Sequence, residues 1–252
     1  KAWGRTEVPI LTLLPSRPGL THSASTYTTD TMRPHLIRLL VCCIACLAFS
    51  SGWAADEKYT LLVFGDSLSA GYGLEEGQGW VTQLTNKVAS EAWPFRVVNG
   101  SVSGETSTGG LARLPAMLAS YSPKVFVLEL GGNDGLRGLP LAILKQNMQT
   151  MIDLAEAAGA VVILTGIQIP PNYGPRYTLP FAEMYTELAV ENDLALVPFL
   201  IEGIPQQPEL MQNDGIHPKA EAQFMILDNV WPLLVPALEE IANTRGHIWT
   251  FR

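Results

Sequence analysis

Short apolar runs alternate along this chain with longer amphipathic stretches. Leu61–Phe64, Phe95–Val98, Lys124–Leu130, Ala160–Leu164 and Ala195–Val197 are too short for helices and read as strands. Between and after them, helical spacing covers about Trp80–Ala89, Leu111–Ser120, Leu141–Ala158, Leu179–Asn192 and Lys219–Asn243, the last preceded by a Pro-rich stretch from Pro198 to Pro208. Strands that alternate with helices predict an α/β fold with a parallel sheet covered on both faces. No internal repeat or linker divides the pattern, so residues 56–252 are expected to form one domain. Three loops follow strands directly: Gly65-Asp66-Ser67, Asn99 to Gly110, and Gly131 to Gly135. In a parallel sheet such loops meet at the carboxyl edge, where open α/β sheets bind ligands.

The segment before Asp56 reads differently. The chain starts at Lys1, and its first methionine, Met32, opens MRPHLIR, an 11-residue apolar run Leu39–Phe49, and SSGWAA. A basic start, a run of that length and a small-residue exit predict a secretory signal peptide over 32–55, cleaved after Ala54 or Ala55. The run falls short of the roughly 20 apolar residues that span a bilayer. An uncleaved anchor or a buried helix is the plainer alternative. A lipoprotein site fits less well, because Cys43 stands where an aliphatic residue belongs. Residues 1–31 are expected to precede the true start. These features predict a periplasmic or secreted protein with no stable membrane insertion of the mature chain.

All three cysteines (Cys42, Cys43, Cys46) lie in that leader, so residues 56–252 can form no disulfide and offer no thiol nucleophile. Those 197 residues are enough to bury a core without such staples. They carry 11 basic and 22 acidic residues, a net charge of −11 that disfavours nucleic acid as a partner.

Ser67 stands two residues past a strand-ending glycine and is the candidate nucleophile, which needs a base and a group to orient that base. Of four histidines, His22 and His35 precede the domain and His247 sits in a terminal tail. His217 remains, in Asn213-Asp214-Gly215-Ile216-His217-Pro218, and Asp214 three residues earlier can fold back onto one ring nitrogen. Oxyanion donors could come from the Ser67 backbone N–H, from Gly104 in the second loop and from the Asn133 amide in the third. On spacing alone, a turn glycine and a helix cap are the simpler readings of Gly104 and Asn133. Asp66 is expected to bond local backbone N–H groups. No metal-ligand spacing is present, and neither GxxxxGK(S/T) nor GxGxxG follows a strand, so no metal, phosphate or other cofactor site is expected.

These four loops together resemble the GDSL, or SGNH, hydrolases. The blocks are Gly65-Asp66-Ser67-Leu68, Gly104 within Asn99–Thr106, Gly131-Gly132-Asn133-Asp134, and Asp214-Gly215-Ile216-His217-Pro218. GETSTGGLARLPA, LELGGNDGLRG, PPNYGPRY and MQNDGIHP resemble the bacterial periplasmic acyl-thioesterase, lysophospholipase and arylesterase branch. The resemblance implies a three-layer α/β/α sandwich with flavodoxin-like strand order. It also implies Ser67 as nucleophile, His217 as base, Asp214 as its orienter, and Ser67, Gly104 and Asn133 as the oxyanion hole. The implied reaction is hydrolysis of acyl esters or thioesters without a cofactor, by a monomer acting on small-molecule substrates.

For the substrate, Leu136, Leu139, Ile169, Pro170 and Tyr173 in the third and fourth post-strand loops are candidates to line an acyl groove. Simple cover for the sheet edge explains them equally well. The rival readings are a carbohydrate acetylesterase on the same fold and a non-catalytic acyl-chain binder.

Overall fold

The computed structural model describes residues 58–244. The proposed leader and extension, the three cysteines, His22, His35 and His247 lie outside the described residues. Five strands run in the order β2-β1-β3-β4-β5, all parallel: β1 (Tyr59–Gly65), β2 (Phe95–Asn99), β3 (Val125–Glu129), β4 (Val161–Thr165) and β5 (Ala195–Val197). This is the flavodoxin-like order, and its direction reverses between β1 and β3. Ser67 follows β1 and Asn133 follows β3, so both sit beside that switch point.

Strand alternation builds the three layers, because successive side chains point to opposite faces. Leu61, Val63, Val125 and Val127 pack against α2 (Trp80–Ser90) and α7 (Gln223–Asn243). Leu62, Phe64, Phe126 and Leu128 pack against α3 (Ser107–Tyr121), α5 (Leu141–Ala157) and α6 (Pro175–Glu191). All eight strand side chains are fully buried. Burial of each contributes about 1.5–3 kcal/mol. A sheet apolar on both sides is what a parallel sheet between helical layers requires.

Local chemistry shifts several boundaries from their sequence-based positions. Helix α3 starts at Ser107 rather than near Leu111, because the Thr106 hydroxyl caps it by accepting from Gly109 N–H at 3.4 Å. Helix α6 starts at Pro175, where proline's missing N–H costs nothing in a first turn. Helix α7 starts at Gln223, since Lys219 is extended and Ala220–Ala222 form a separate 3-10 turn. Two short helices occupy stretches read as loops: α1 (Ser67–Ala70) directly after β1 and α4 (Gly132–Leu136) directly after β3. Among the described residues, no helix is long and apolar enough to cross a membrane.

Candidate active site

The register of β1 and β3 sets Gly65 opposite Glu129. A side chain at 65 would collide with the Glu129 carboxylate, so glycine there answers to close approach. Glu129 is fully buried, and its Oε2 accepts from Asp66 N–H (3.1 Å) and from Ser69 Oγ (2.7 Å). Asp66 then caps α1, its Oδ1 accepting from Leu68 N–H at 3.0 Å. Ser67 is thus the first residue of a helical turn whose two ends are tied down by carboxylates.

The imidazole of His217 spans the gap to Ser67. Its Nε2 lies 2.8 Å from Ser67 Oγ, and its Nδ1 lies 2.7 Å from Asp214 Oδ2. Asp214 reaches back because its Oδ1 accepts both Ile216 N–H (2.9 Å) and His217 N–H (3.0 Å), closing the loop around Gly215. Burial alone would raise the Asp214 carboxyl. The backbone and ring N–H groups of His217 and the Ile216 N–H outweigh that and hold it below its usual value. An ionised Asp214 accepts from Nδ1–H, which leaves Nε2 free to accept the Ser67 proton. The loop itself is pinned by Gln212 N–H to His217 O (2.8 Å) and Lys219 N–H to Leu210 O (2.7 Å).

Asn133 sits in α4, and its Nδ2 donates one hydrogen to Asp66 Oδ2 at 3.1 Å, which leaves the second N–H for another acceptor. The neighbouring Asp134 is buried and accepts Ser107 N–H (2.8 Å) and Ser107 Oγ–H (2.6 Å), locking α4 to the start of α3. Gly104 lies in a turn at φ 80°, a backbone that glycine adopts freely. Its carbonyl accepts from Arg137 Nη2 at 3.1 Å. Gly104 does not line the adjoining cleft.

That cleft measures about 510 Å³ and has Ser67, Asn133 and His217 in its wall. Leu136, Ile169 and Pro170 contribute to the wall, together with Phe199, Ile201 and Ile216. Tyr173 does not line it, nor does Leu139. Pro171–Tyr173 form a 3-10 turn that carries the Tyr173 ring outward, and its hydroxyl braces the wall from behind by donating to Leu136 O at 3.0 Å. Sequence reading also missed Phe199 and Ile201, which the stretch after β5 brings over the sheet edge. Among the described residues, no group of three or more His, Cys, Asp or Glu could hold a metal ion.

Glu129 was the other omission, although a carboxylate inside the apolar run KVFVLEL was a usable signal. Burial, and then the neighbouring Asp66, push Glu129 well above the carboxylate range. Burial likewise lifts Asp66 from 3.8 to about 6, against the pull of the Leu68 N–H, His217 and the Asn133 amide. Burial thus raises both carboxyl groups above their ordinary values, and each disfavours ionisation of the other. In the unfolded chain Glu129 ionises near 4.5, whereas the fold keeps it protonated to higher pH. The native state binds the extra proton, so this contribution to stability is whole below 4.5 and is lost as pH rises toward the native titration. Glu129→Gln keeps an acceptor for Asp66 and Ser69 but cannot ionise. Urea unfolding at about pH 5 and about pH 8 is expected to show the parent losing more stability across that interval than the variant. Parallel losses would mean that Glu129 is not the source.

Residues 63–223 match the model of the GDSL-like Lipase/Acylhydrolase family. Over 200 residues the chain is 52% identical to the esterase TesA of Pseudomonas aeruginosa, covering 79% of this chain and 98% of that one. It is 45% identical over 175 residues to a thioesterase, protease and lysophospholipase of Escherichia coli, covering 69% and 81% of the two chains. A crystal structure of the psychrotrophic esterase EstA from Pseudoalteromonas, inhibited by monoethylphosphonate, superposes with a TM-score of 0.69 at 40% identity, covering 72% of this chain and 99% of that one.

Proposed function

The chain belongs to the GDSL-like lipase/acylhydrolase family and is a serine hydrolase of ester bonds, and from that premise we propose that Ser67, His217 and Asp214 carry the reaction, on esters and thioesters of acyl chains. The observation that carries this reading is the continuous hydrogen-bond path Asp214–His217–Ser67 opening onto an apolar cleft.

Ser67 Oγ attacks the carbonyl carbon while His217 Nε2 takes its proton, and Asp214 stabilises the imidazolium that results. Charge develops on the carbonyl oxygen, where the Ser67 and Gly104 backbone N–H groups and the second Asn133 N–H are the donors. Asp66, by occupying the first Asn133 N–H, fixes the direction of the other. Collapse of the intermediate breaks the bond to the leaving oxygen or sulfur, which takes the proton from Nε2. Water, deprotonated by the same imidazole, then releases the acid from Ser67.

The acyl chain lies in the cleft, against Leu136, Ile169, Pro170, Phe199 and Ile201. A cleft of about 510 Å³ has room for a medium-length chain and not merely an acetyl group. A fluorescent alkylphosphonate is expected to label the protein at Ser67. Aryl octanoate is expected to exceed aryl acetate in kcat/KM by about tenfold or more, since each buried methylene contributes about 0.8 kcal/mol. Failure to label would favour a non-catalytic acyl-chain binder. A preference for acetate would count against the cleft and favour an acetylesterase.

A further inference from the structure

Tyr72 is a large aromatic side chain, 52% exposed, whose ring centroid lies 4.6 Å from that of the His217 imidazole at an interplanar angle of 42°. Its position is built rather than incidental. Gly71 and Gly73 flank it at φ 77° and 72°, so the chain leaves α1 through two left-handed residues with Tyr72 between them. Gln212 Nε2 donates to Tyr72 O (2.8 Å) and to Pro218 O (3.1 Å), joining this turn to the loop that bears His217. The Gln212 side chain also packs so closely on Gly73 that a Cβ there would collide with it. Two segments 140 residues apart are thereby held in one register, and an exposed tyrosine face lies against the imidazole.

Tyr72 forms no part of the cleft wall that would take the acyl chain. The chemistry says what else reaches the imidazole. When the tetrahedral intermediate collapses, the bond from the carbonyl carbon to the leaving oxygen or sulfur breaks, and the electron pair takes the proton from His217 Nε2. The leaving atom is therefore within hydrogen-bond reach of Nε2. Its substituent, excluded from the acyl cleft, has to pass over the surface that surrounds the imidazole outside that cleft. Tyr72 is the aromatic ring in contact with that imidazole.

We infer that Tyr72 is a specificity-determining platform for the leaving group, and that it favours planar aromatic alcohols and thiols over aliphatic ones. Its exposed face offers an aryl leaving group an offset or tilted ring contact, whereas an ethoxy group has no π face to offer. This inference rests on the hydrolase mechanism proposed above and adds to it the side of the site that discriminates leaving groups.

The test compares naphthyl butanoate with ethyl butanoate, which share an acyl group, in the parent, Tyr72→Phe and Tyr72→Leu. The parent ratio of kcat/KM, aryl to alkyl, is expected to fall by about 3- to 10-fold in Tyr72→Leu, and to be retained in Tyr72→Phe. The decay of the common butanoyl-enzyme, followed after a burst of naphthol, separates this role from bracing of the imidazole. His217 acts in both half-reactions, whereas the leaving group has departed before the second. An unchanged ratio in Tyr72→Leu overturns the inference, whether activity is untouched or acylation and decay slow together. Failure of the parent to hydrolyse either ester would instead remove the mechanism beneath it.

Discussion

Ser67→Ala is expected to lower kcat/KM for a chromogenic aryl octanoate by about 10⁴- to 10⁶-fold. The substitution removes the Oγ that lies 2.8 Å from His217 Nε2 and leaves nearly everything else in place. The Asp66 side chain that caps α1 bonds to Leu68 N–H and Asn133, and the Glu129 carboxyl group holds Asp66 N–H and Ser69 Oγ. The serine hydroxyl is the weakest of the partners acting on Asp66, which keeps Leu68 N–H and the Asn133 amide without it, so the variant folds and unfolds close to the parent, within about 0.5 kcal/mol. Its residual rate comes from the oxyanion donors and the cleft, with water in the vacated place. Such residues acting as a unit leave a background of about 10³–10⁴ over the uncatalysed reaction. Activity within tenfold of the parent, in protein free of contaminating esterase, would sink the assignment of Ser67.

How much of this could be read from the chain depends on the length of the element that carries it. The five strands were legible because each is a short apolar run, and the three post-strand loops because glycine ends the runs before them. The strand order was not in the residues themselves; it followed from the family resemblance. Helices α1 and α4 escaped because four or five residues cannot display a 3.6-residue period. Both are set by tertiary contacts instead: Glu129 beneath α1, and Ser107 against Asp134 in α4.

The site divides in the same way. Asp214 and His217 were legible because they share one six-residue loop with a single usable histidine. Leu136, Ile169 and Pro170 line the cleft, but Tyr173, only three residues from Pro170, does not. A 3-10 turn in a loop reverses side-chain direction within a step or two, and sequence spacing carries no record of it. Tyr72 carries no signal of its own in the sequence, since its meaning depends on Gln212 and His217, about 140 residues downstream.

The second large effect concerns the imidazole. His217→Gln is expected to lower kcat/KM by about 10⁴-fold or more and to slow phosphonate labelling of Ser67 in proportion. Glutamine can hydrogen-bond where imidazole did, but it cannot take the serine proton, so both acylation and release of the acid stall. His217 is the only histidine among the described residues, which leaves no nearby base to replace it. The loop survives the change because backbone bonds from Gln212 N–H and Lys219 N–H hold it, and loss of activity without loss of stability is the expected pairing.

Asp214→Asn sets the scale for that result. The Asp214 side chain is 36% exposed and that of His217 only 15%, so solvent shares in stabilising the imidazolium where Asp214 faces it. The Asn variant would still accept the Ile216 and His217 N–H groups through its carbonyl oxygen, but its amide would point a donor at Nδ1 and disfavour the tautomer that accepts from Ser67. The expected order of loss is therefore His217→Gln greater than Asp214→Asn, with the latter about 10²–10⁴-fold. An Asp214→Asn variant as inert as His217→Gln would mean that the carboxylate acts as a fully desolvated charge, contrary to its exposure. A His217→Gln variant with near-parental labelling would show that Ser67 draws its reactivity from Asp66, the other carboxylate beside it.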